Sequence, residues 1–171
     1  TAAGSARIRL LLERGTTVCA GYAWLFNAMA ASVGLESIFL IGDVRGYRGT
    51  PDDELVSAFR HAWNAVEIDG RWRLLDATWG ARQVGESAGD YLARRDYYFD
   101  TPARQMVFDH LPEDPAWQLL EHPVPDRDTF HALPNLKPAF FQQGLRLANG
   151  FSSHLALDAG QTGGLALTAP E

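Results

Sequence analysis

The spacing of apolar residues predicts two helices and a strand in the first quarter of the chain. Residues 8–14 place apolar side chains at helical spacing and stop at Gly15, which is typical of a helix end. Residues 18–32 repeat the helical spacing and stop at Gly34. The apolar run that follows, within residues 35–44, indicates a buried strand.

The clearest local pattern is a β-hairpin between residues 61 and 79. Two strand-like runs, HAWNAVEI and RWRLLDATW, flank Asp69 and Gly70, and this pair of residues is typical of a two-residue type I′ turn. Such a turn fixes the register, so that Ile68 faces Arg71. Since side chains alternate along a strand, the hairpin directs four side chains to one face of the sheet: His61, Trp63, Asp76 and Thr78.

The remaining segments are less regular. Residues 45–54 and 81–90 are polar and contain glycine, so we expect exposed loops there. The aromatic run at residues 97–99 suggests another strand, and residues 102–120 suggest an ordered connector with a short helix. From residue 140 onwards, short apolar runs alternate with glycine-rich turns, which predicts two or three strands of a β unit that is small or incomplete.

Composition and charge exclude several classes of protein. The 171 residues are 46% hydrophobic and 21% charged, as in an ordinary globular domain, so wholesale disorder is excluded. The formal net charge of −6 argues against a nucleic acid or an anionic membrane as partner. The apolar run at residues 38–41 is far shorter than the ~20 residues of a membrane span. The first residue is Thr1, so we expect an upstream segment to have been removed, and we predict a soluble domain without assigning a compartment.

Cys19 is the only cysteine. It cannot form an internal disulfide or a multi-cysteine metal site, which leaves a buried apolar role, an intermolecular bridge or a nucleophile. Thr16 and Thr17 are residue types that cap helices, so Cys19 is expected to open the second helix. The backbone N–H groups at a helix start favour a thiolate and can receive an oxyanion.

His61 and Asp76 are diagonal neighbours in the predicted hairpin, close enough for a hydrogen bond. With Cys19 they supply the groups of an acyl-transfer triad, in which the imidazole deprotonates the thiol and the carboxylate fixes the imidazole tautomer. The alternative interpretations are a half-exposed strand histidine and an aspartate that ends a strand. Trp63 and Trp79 are candidate substrate contacts, although such residues are more often core aromatics. The remaining histidines lack this spacing and are interpreted as structural or surface residues: His110, His122, His131 and His154.

The motifs TTVCAGYAWLFNAMAASVGL and HAWNAVEIDGRWRLLDATWG resemble the transglutaminase-like superfamily, and the order Cys19, His61, Asp76 matches. YYFDTPARQMVFDHLPEDPAWQLL is similar to the branch that includes kyphoscoliosis peptidase and cytokinesis proteins with transglutaminase-like domains. The resemblance implies an α+β fold, a papain-like core with the nucleophile helix packed on an antiparallel β-sheet, followed by a short β-rich segment. We expect a catalytic domain over residues 1–138 and a β-rich tail over residues 139–171.

The function implied is that of a cysteine enzyme that attacks peptide or glutamine-type amides through a thioester, with hydrolysis favoured over amine transfer. The partner is a protein or peptide substrate, with no cofactor and no metal. Two alternatives stay open: a non-catalytic adaptor that binds proteins, and an amidase that acts on glycoprotein or cell-wall amides. The chain departs from the branch at Thr17, where a GVC motif places glycine. Residues 1–18 also contain no Asn, Gln, Trp, Tyr or His to complete an oxyanion hole.

Overall fold

The computed structural model describes residues 2–15, 17–45, 59–82, 85–148, 158–161, 164 and 166–170. In the described residues the helices are α1 Ala2–Arg14, α2 Cys19–Ser32, α3 Ala88–Tyr97, α4 Ala103–Met106, α5 Arg127–Ala132 and α6 Pro138–Gln142. The strands are β1 Ser37–Val44, β2 Phe59–Ile68, β3 Arg71–Leu75, β4 His110–Pro112, β5 Arg146–Leu147 and β6 Leu167–Thr168. A 3₁₀ turn follows β4 at Pro115–Gln118.

The centre of the fold is a four-stranded sheet in the order β3-β2-β1-β4, with every pairing antiparallel. The strands β5 and β6 form a separate two-stranded sheet. The helix α2 packs on the four-stranded sheet through β1 and β2. This arrangement confirms the predicted α+β class with a helix packed on an antiparallel sheet.

The hairpin register is as the sequence predicts. Asp69 and Gly70 have φ values of 53° and 71°, as a type I′ turn requires, and the ladder runs from Ile68↔Arg71 to Asn64↔Leu75. The strand β3 ends at Leu75, earlier than the predicted end at residue 79. The reason lies in the next residue, Asp76, whose carboxylate accepts bonds from the following backbone and turns the chain.

The first two helices are confirmed, although α1 begins at Ala2 and not at residue 8, and the cap of α2 differs from the prediction. Gly15 adopts a positive φ directly after α1, and Gly34 adopts a positive φ in the turn that follows α2. The residue before α2 is Val18, and no side chain caps the helix start. The Thr17 side chain instead lies against Gly21, where an added Cβ would sit 1.9 Å from Thr17 Oγ1.

The predicted strand at residues 97–99 is wrong, because Tyr97 is the last residue of α3. Ser87 starts that helix by accepting a hydrogen bond from the Asp90 N–H, so the capping pattern prevails over the strand propensity of the aromatic run. The connector at residues 102–120 contains the expected short helix. It also contains β4, which the sequence analysis missed and which pairs with β1.

One face of the sheet carries an aromatic core, to which Trp63, Trp79, Tyr97 and Tyr98 belong. A glycine in β1 makes this packing possible. A Cβ on Gly42 would lie 2.0 Å from the Leu111 carbonyl oxygen and 2.6 Å from the Trp63 ring, so only glycine fits between β4 and the indole. The short strand β4 is thereby brought close to β2.

The C-terminal segments pack on the rest of the chain. Phe141 of α6 lies against Tyr97 and Phe108, and Gln142 donates a hydrogen bond to the Ala93 carbonyl. Beyond α6 the described residues form only the short pair β5 and β6, and residues 149–157 of the expected β tail lie outside the described residues. The predicted loop at residues 45–54 also lies outside them from residue 46 onwards.

No helix in the described part of the chain is long and apolar enough to cross a membrane.

Candidate active site

Asp76 is fully buried and accepts four hydrogen bonds, one for each of its lone-pair positions. The backbone N–H groups of Thr78 and Trp79 donate to Oδ1 over 2.8 and 3.0 Å. Two imidazoles approach Oδ2, His61 through Nε2 at 2.6 Å and His110 through Nε2 at 3.0 Å. Since only an ionised carboxylate accepts at every position, this environment holds Asp76 as an anion.

His61 joins Asp76 to the aromatic core. Its ring stacks on Trp63 at a centroid distance of 6.2 Å and lies 5.5 Å from Trp79. Because the Nε2 proton is donated to Asp76, Nδ1 is the nitrogen left with a free lone pair. Among the described residues Nδ1 has no hydrogen-bond partner. The structure thus brings the two predicted hairpin residues into direct contact and leaves a basic nitrogen on the imidazole.

His110 is the functional candidate that the sequence analysis missed. It was interpreted as structural or surface, yet its side chain is buried between two carboxylates. Its Nδ1 lies 2.5 Å from Asp109 Oδ1, and its Nε2 lies 3.0 Å from Asp76. The Tyr98 hydroxyl donates to the other Asp109 oxygen at 2.8 Å. A continuous buried chain therefore runs from Tyr98 through Asp109 and His110 to Asp76 and His61.

These buried hydrogen bonds shift the pKa values of Asp76, His110 and Tyr98. Burial by itself would raise the pKa of Asp76, but the hydrogen bonds from His110 and His61 and their charges hold it well below its usual range. Burial would also lower the pKa of His110, but the Asp109 carboxylate and the hydrogen bonds to Asp109 and Asp76 raise it to about 9. Burial and the neighbouring Asp109 charge raise the pKa of Tyr98, which stays a neutral donor.

Cys19 is the first residue of α2 and is partly exposed. A contact between α2 and β2 further along the helix shows where Cys19 and His61 lie along the sheet. Asn64 of β2 donates its side-chain amide to Asn27 and to the Ala23 carbonyl. Cys19 lies about two helical turns before Asn27, or about 12 Å, and His61 lies about 10 Å before Asn64 on its strand.

The direction of α2 shows which end of the sheet Cys19 occupies. After its last turn, where the Leu35 N–H bonds the Ala30 carbonyl, the chain enters β1 beside the end of β2. The helix therefore runs antiparallel to β1 and parallel to β2, so Cys19 and His61 lie at the same end of the sheet. The helix packs on the face that carries Asn64, and since side chains alternate along a strand, the His61 ring points to the other face. In the described residues no hydrogen bond joins the Cys19 thiol to His61.

Trp63 and Trp79, the predicted substrate contacts, lie in the core. They are 1% and 4% exposed and surround the rings of His61 and His110. In these positions they shield the His–Asp contacts from water. Their part in substrate binding stays a prediction.

The nitrogen and oxygen atoms of His61, Asp76 and His110 lie within 4.8 Å of one another, a separation that a metal ion could bridge. The hydrogen bonds argue for protons in this position instead. Both nitrogens of His110 face carboxylates, so both carry protons and neither has a lone pair to give to a metal. We therefore describe these residues as a proton network.

Comparison with known proteins shows the family of the chain. Residues 1–77 match the family model described as the transglutaminase-like superfamily, a range that includes Cys19, His61 and Asp76. The chain belongs to this superfamily. Kyphoscoliosis peptidase of Mus musculus is 31% identical over 140 residues, which cover 81% of this chain and 21% of the mouse protein.

Two further relatives show the same pattern. Hillarin of Drosophila melanogaster is 31% identical over 140 residues, or 75% of this chain and 17% of its own length. Lim and transglutaminase domain protein ltd-1 of Caenorhabditis elegans is 32% identical over 137 residues, or 72% of this chain and 18% of its own length. The chain thus spans about a fifth of the length of these relatives, and the predicted branch of the superfamily is confirmed.

Proposed function

We propose that this chain is a transglutaminase-like cysteine enzyme that attacks peptide or glutamine-type amide bonds, with hydrolysis as the main outcome. Cys19 is the nucleophile, His61 is the general base and acid, and Asp76 orients the imidazole. One observation carries the proposal: the 2.6 Å hydrogen bond from His61 Nε2 to a buried, ionised Asp76. This bond leaves Nδ1 free at the end of the sheet where Cys19 opens α2.

The chemistry proceeds in two halves. His61 Nδ1 takes the thiol proton of Cys19, and the sulfur attacks the amide carbonyl carbon. The backbone N–H groups of the first turn of α2, which no side chain caps, receive the oxyanion. The C–N bond then breaks, the leaving nitrogen takes the proton from His61, and a thioester remains on the sulfur.

Water completes the reaction. His61 Nδ1 removes a proton from the water as it attacks the thioester carbon, and the proton returns to the sulfur when the C–S bond breaks. The products are a carboxylic acid and the free thiol. A primary amine in place of water would give a new amide, so the acceptor decides between hydrolysis and cross-linking. The name of the mouse relative, a peptidase, supports hydrolysis.

An activated ester tests the proposal, because a single cysteine makes the adduct site-specific. We expect p-nitrophenyl acetate to acylate Cys19 in a burst, with mass spectrometry showing one acetyl group, and water to remove it faster than a primary amine does. The H61Q variant should lose the burst, whereas H122Q, which replaces an exposed histidine, should keep it. Equal acylation of all three proteins would overturn the proposal.

A non-catalytic, protein-binding adaptor is the second candidate. The described residues show no hydrogen bond between Cys19 and His61, and an adaptor needs none, whereas the enzyme must form one during the reaction. In the acylation experiment an adaptor gives no burst and the same slow modification in wild type and H61Q. The experiment therefore separates the two functions.

A further inference from the structure

Asp76 receives two imidazoles on one oxygen, although orienting His61 requires only one acceptor contact. The second imidazole, His110, comes from β4, a strand of three residues at the far edge of the sheet. We propose that His110 is a positioning residue, clamped between Asp109 and Asp76, that fixes the Asp76 carboxylate against His61 and tunes the proton transfer at that imidazole. This role rests on the proposed function and extends it to a second buried histidine.

The geometry requires His110 to be an imidazolium. Its Nδ1 faces Asp109 at 2.5 Å and its Nε2 faces Asp76 at 3.0 Å, and each carboxylate needs a donor at that position. Only the doubly protonated ring supplies both. The ionisable groups facing it are the two carboxylates, His61 at a ring-centroid distance of 5.7 Å, and the Tyr98 hydroxyl, which donates to the second oxygen of Asp109.

A purely structural role does not account for these groups. The surroundings of His110 are aromatic, with Trp63 at 4.9 Å and Trp79 at 4.5 Å, so an apolar side chain would suit the space with no charge to bury. Instead the chain places an ion pair and a tyrosine hydroxyl there. The Tyr98 hydroxyl bonds Asp109, and Asp109 bonds His110. His110 in turn bonds Asp76, which bonds the base His61.

The charge of His110 acts on the proton that His61 carries during the reaction. When His61 accepts the thiol proton, two cationic rings share one carboxylate oxygen, and their like charges repel. The proton therefore passes more readily to the leaving nitrogen. Asp109 offsets part of the positive charge, so that His110 tunes the site without leaving it strongly cationic.

The H110Q variant tests this role. We expect the alkylation rate of Cys19 by iodoacetamide to rise with pH later than in wild type, with its midpoint shifted upward by about one to two pH units, because a positive charge about 6 Å from His61 is gone. H122Q should reproduce the wild-type curve. The double variant D109N/H110Q also removes the Asp109 carboxylate, so that no unpaired charge remains at this position. Its curve should move in the same direction by a smaller amount.

A merely structural role for His110 would lower the folded fraction of these variants without moving the midpoint, and an unmoved midpoint would overturn the proposal. Nitrogen NMR of histidine-labelled wild type gives a reading that needs neither a variant nor Cys19. We expect both ring nitrogens of His110 to stay protonated at pH 7.5, and a neutral ring would overturn the proposal. If Cys19 reacts like an ordinary thiol while His110 is doubly protonated, the proposed function fails and the His110–Asp76 contact stands.

Discussion

His110 Nε2 lies 3.0 Å from Asp76 Oδ2, although the two residues stand 34 positions apart in the chain. The contact ties β4, at one edge of the sheet, to the turn that follows β3, at the other edge. Gly42 in the intervening strand permits this approach. The candidate site therefore depends on the whole width of the sheet and not on the β2–β3 hairpin alone.

Replacing Asp76 by asparagine should affect both stability and chemistry. The asparagine amide cannot accept at both ends, so it would direct an N–H at the imidazoles or at the Thr78 and Trp79 backbone. We expect a loss of about 3–5 kcal/mol in the free energy of unfolding, as for a broken buried ion pair, and an acylation rate reduced by about 10⁴-fold in the folded fraction.

Denaturant unfolding and burst acylation measure the two effects of D76N. The matched control is D100N, whose carboxylate pairs with Arg73 at the surface. We expect that variant to change stability by less than about 1 kcal/mol. A D76N protein with wild-type acylation would remove Asp76 from the mechanism.

The stability of the folded protein should fall between pH 6.5 and 9. The folded state raises the pKa of His110 from 6.5 to about 9, so this histidine stabilises the fold fully below pH 6.5 and loses its contribution as the pH rises to about 9. The expected loss is about 3 kcal/mol. Urea unfolding across this range measures it, and D109N/H110Q should lack the slope. A wild-type curve that is flat over this range would contradict the His110 assignment.

Gly42→Ala should destabilise the protein by about 2–4 kcal/mol, because the new methyl would overlap a backbone carbonyl of β4 and the Trp63 ring. Gly89→Ala is the control, since residue 89 lies in α3 with only the Ser87 hydroxyl, at 4.0 Å, near its added methyl. We expect that change to stabilise the protein by up to about 1 kcal/mol. Thermal unfolding compares the two, and equal melting temperatures would contradict the close approach at Gly42.

The contact between Thr17 and Gly21 predicts a coupled pair of substitutions. Gly21→Ala places a methyl 1.9 Å from Thr17 Oγ1 and should destabilise the protein by about 1–3 kcal/mol. In a T17G background the same change meets no Thr17 side chain, and its helix propensity should make it neutral or stabilising. A double-mutant cycle measures the coupling. Additive effects would show that Thr17 does not occupy this space.

The sequence predicts what local rules determine. The Asp69–Gly70 turn fixes the register as far as Asn64↔Leu75, which brings Asp76 next to His61 as predicted. Asp76 and Thr78 themselves lie in the turn after β3, so the predicted strand pairing of Thr78 with His61 is wrong. The ends of α1 and of the α2 turn follow from Gly15 and Gly34. These features depend on neighbouring residues, so no knowledge of the tertiary packing is needed.

His110 escaped the sequence analysis because its partners come together only through the pairing of β4 with β1. A three-residue strand has no periodicity to detect, and Asp109 beside His110 resembles any polar pair. The available signal was Gly42 within an apolar strand, which marks a close backbone approach. The strand predicted at residues 97–99 failed for a related reason, since the Ser87 cap that starts α3 lies ten residues upstream.

The proposed chemistry requires His61 to activate Cys19, and the alkylation rate of Cys19 as a function of pH shows whether it does. We expect iodoacetamide to react with wild type at a high rate that is already level near pH 7, and with H61Q slowly, at a rate still rising past pH ~8.5 as for an ordinary thiol. Coincident curves for wild type and H61Q, both rising past that pH, would contradict it.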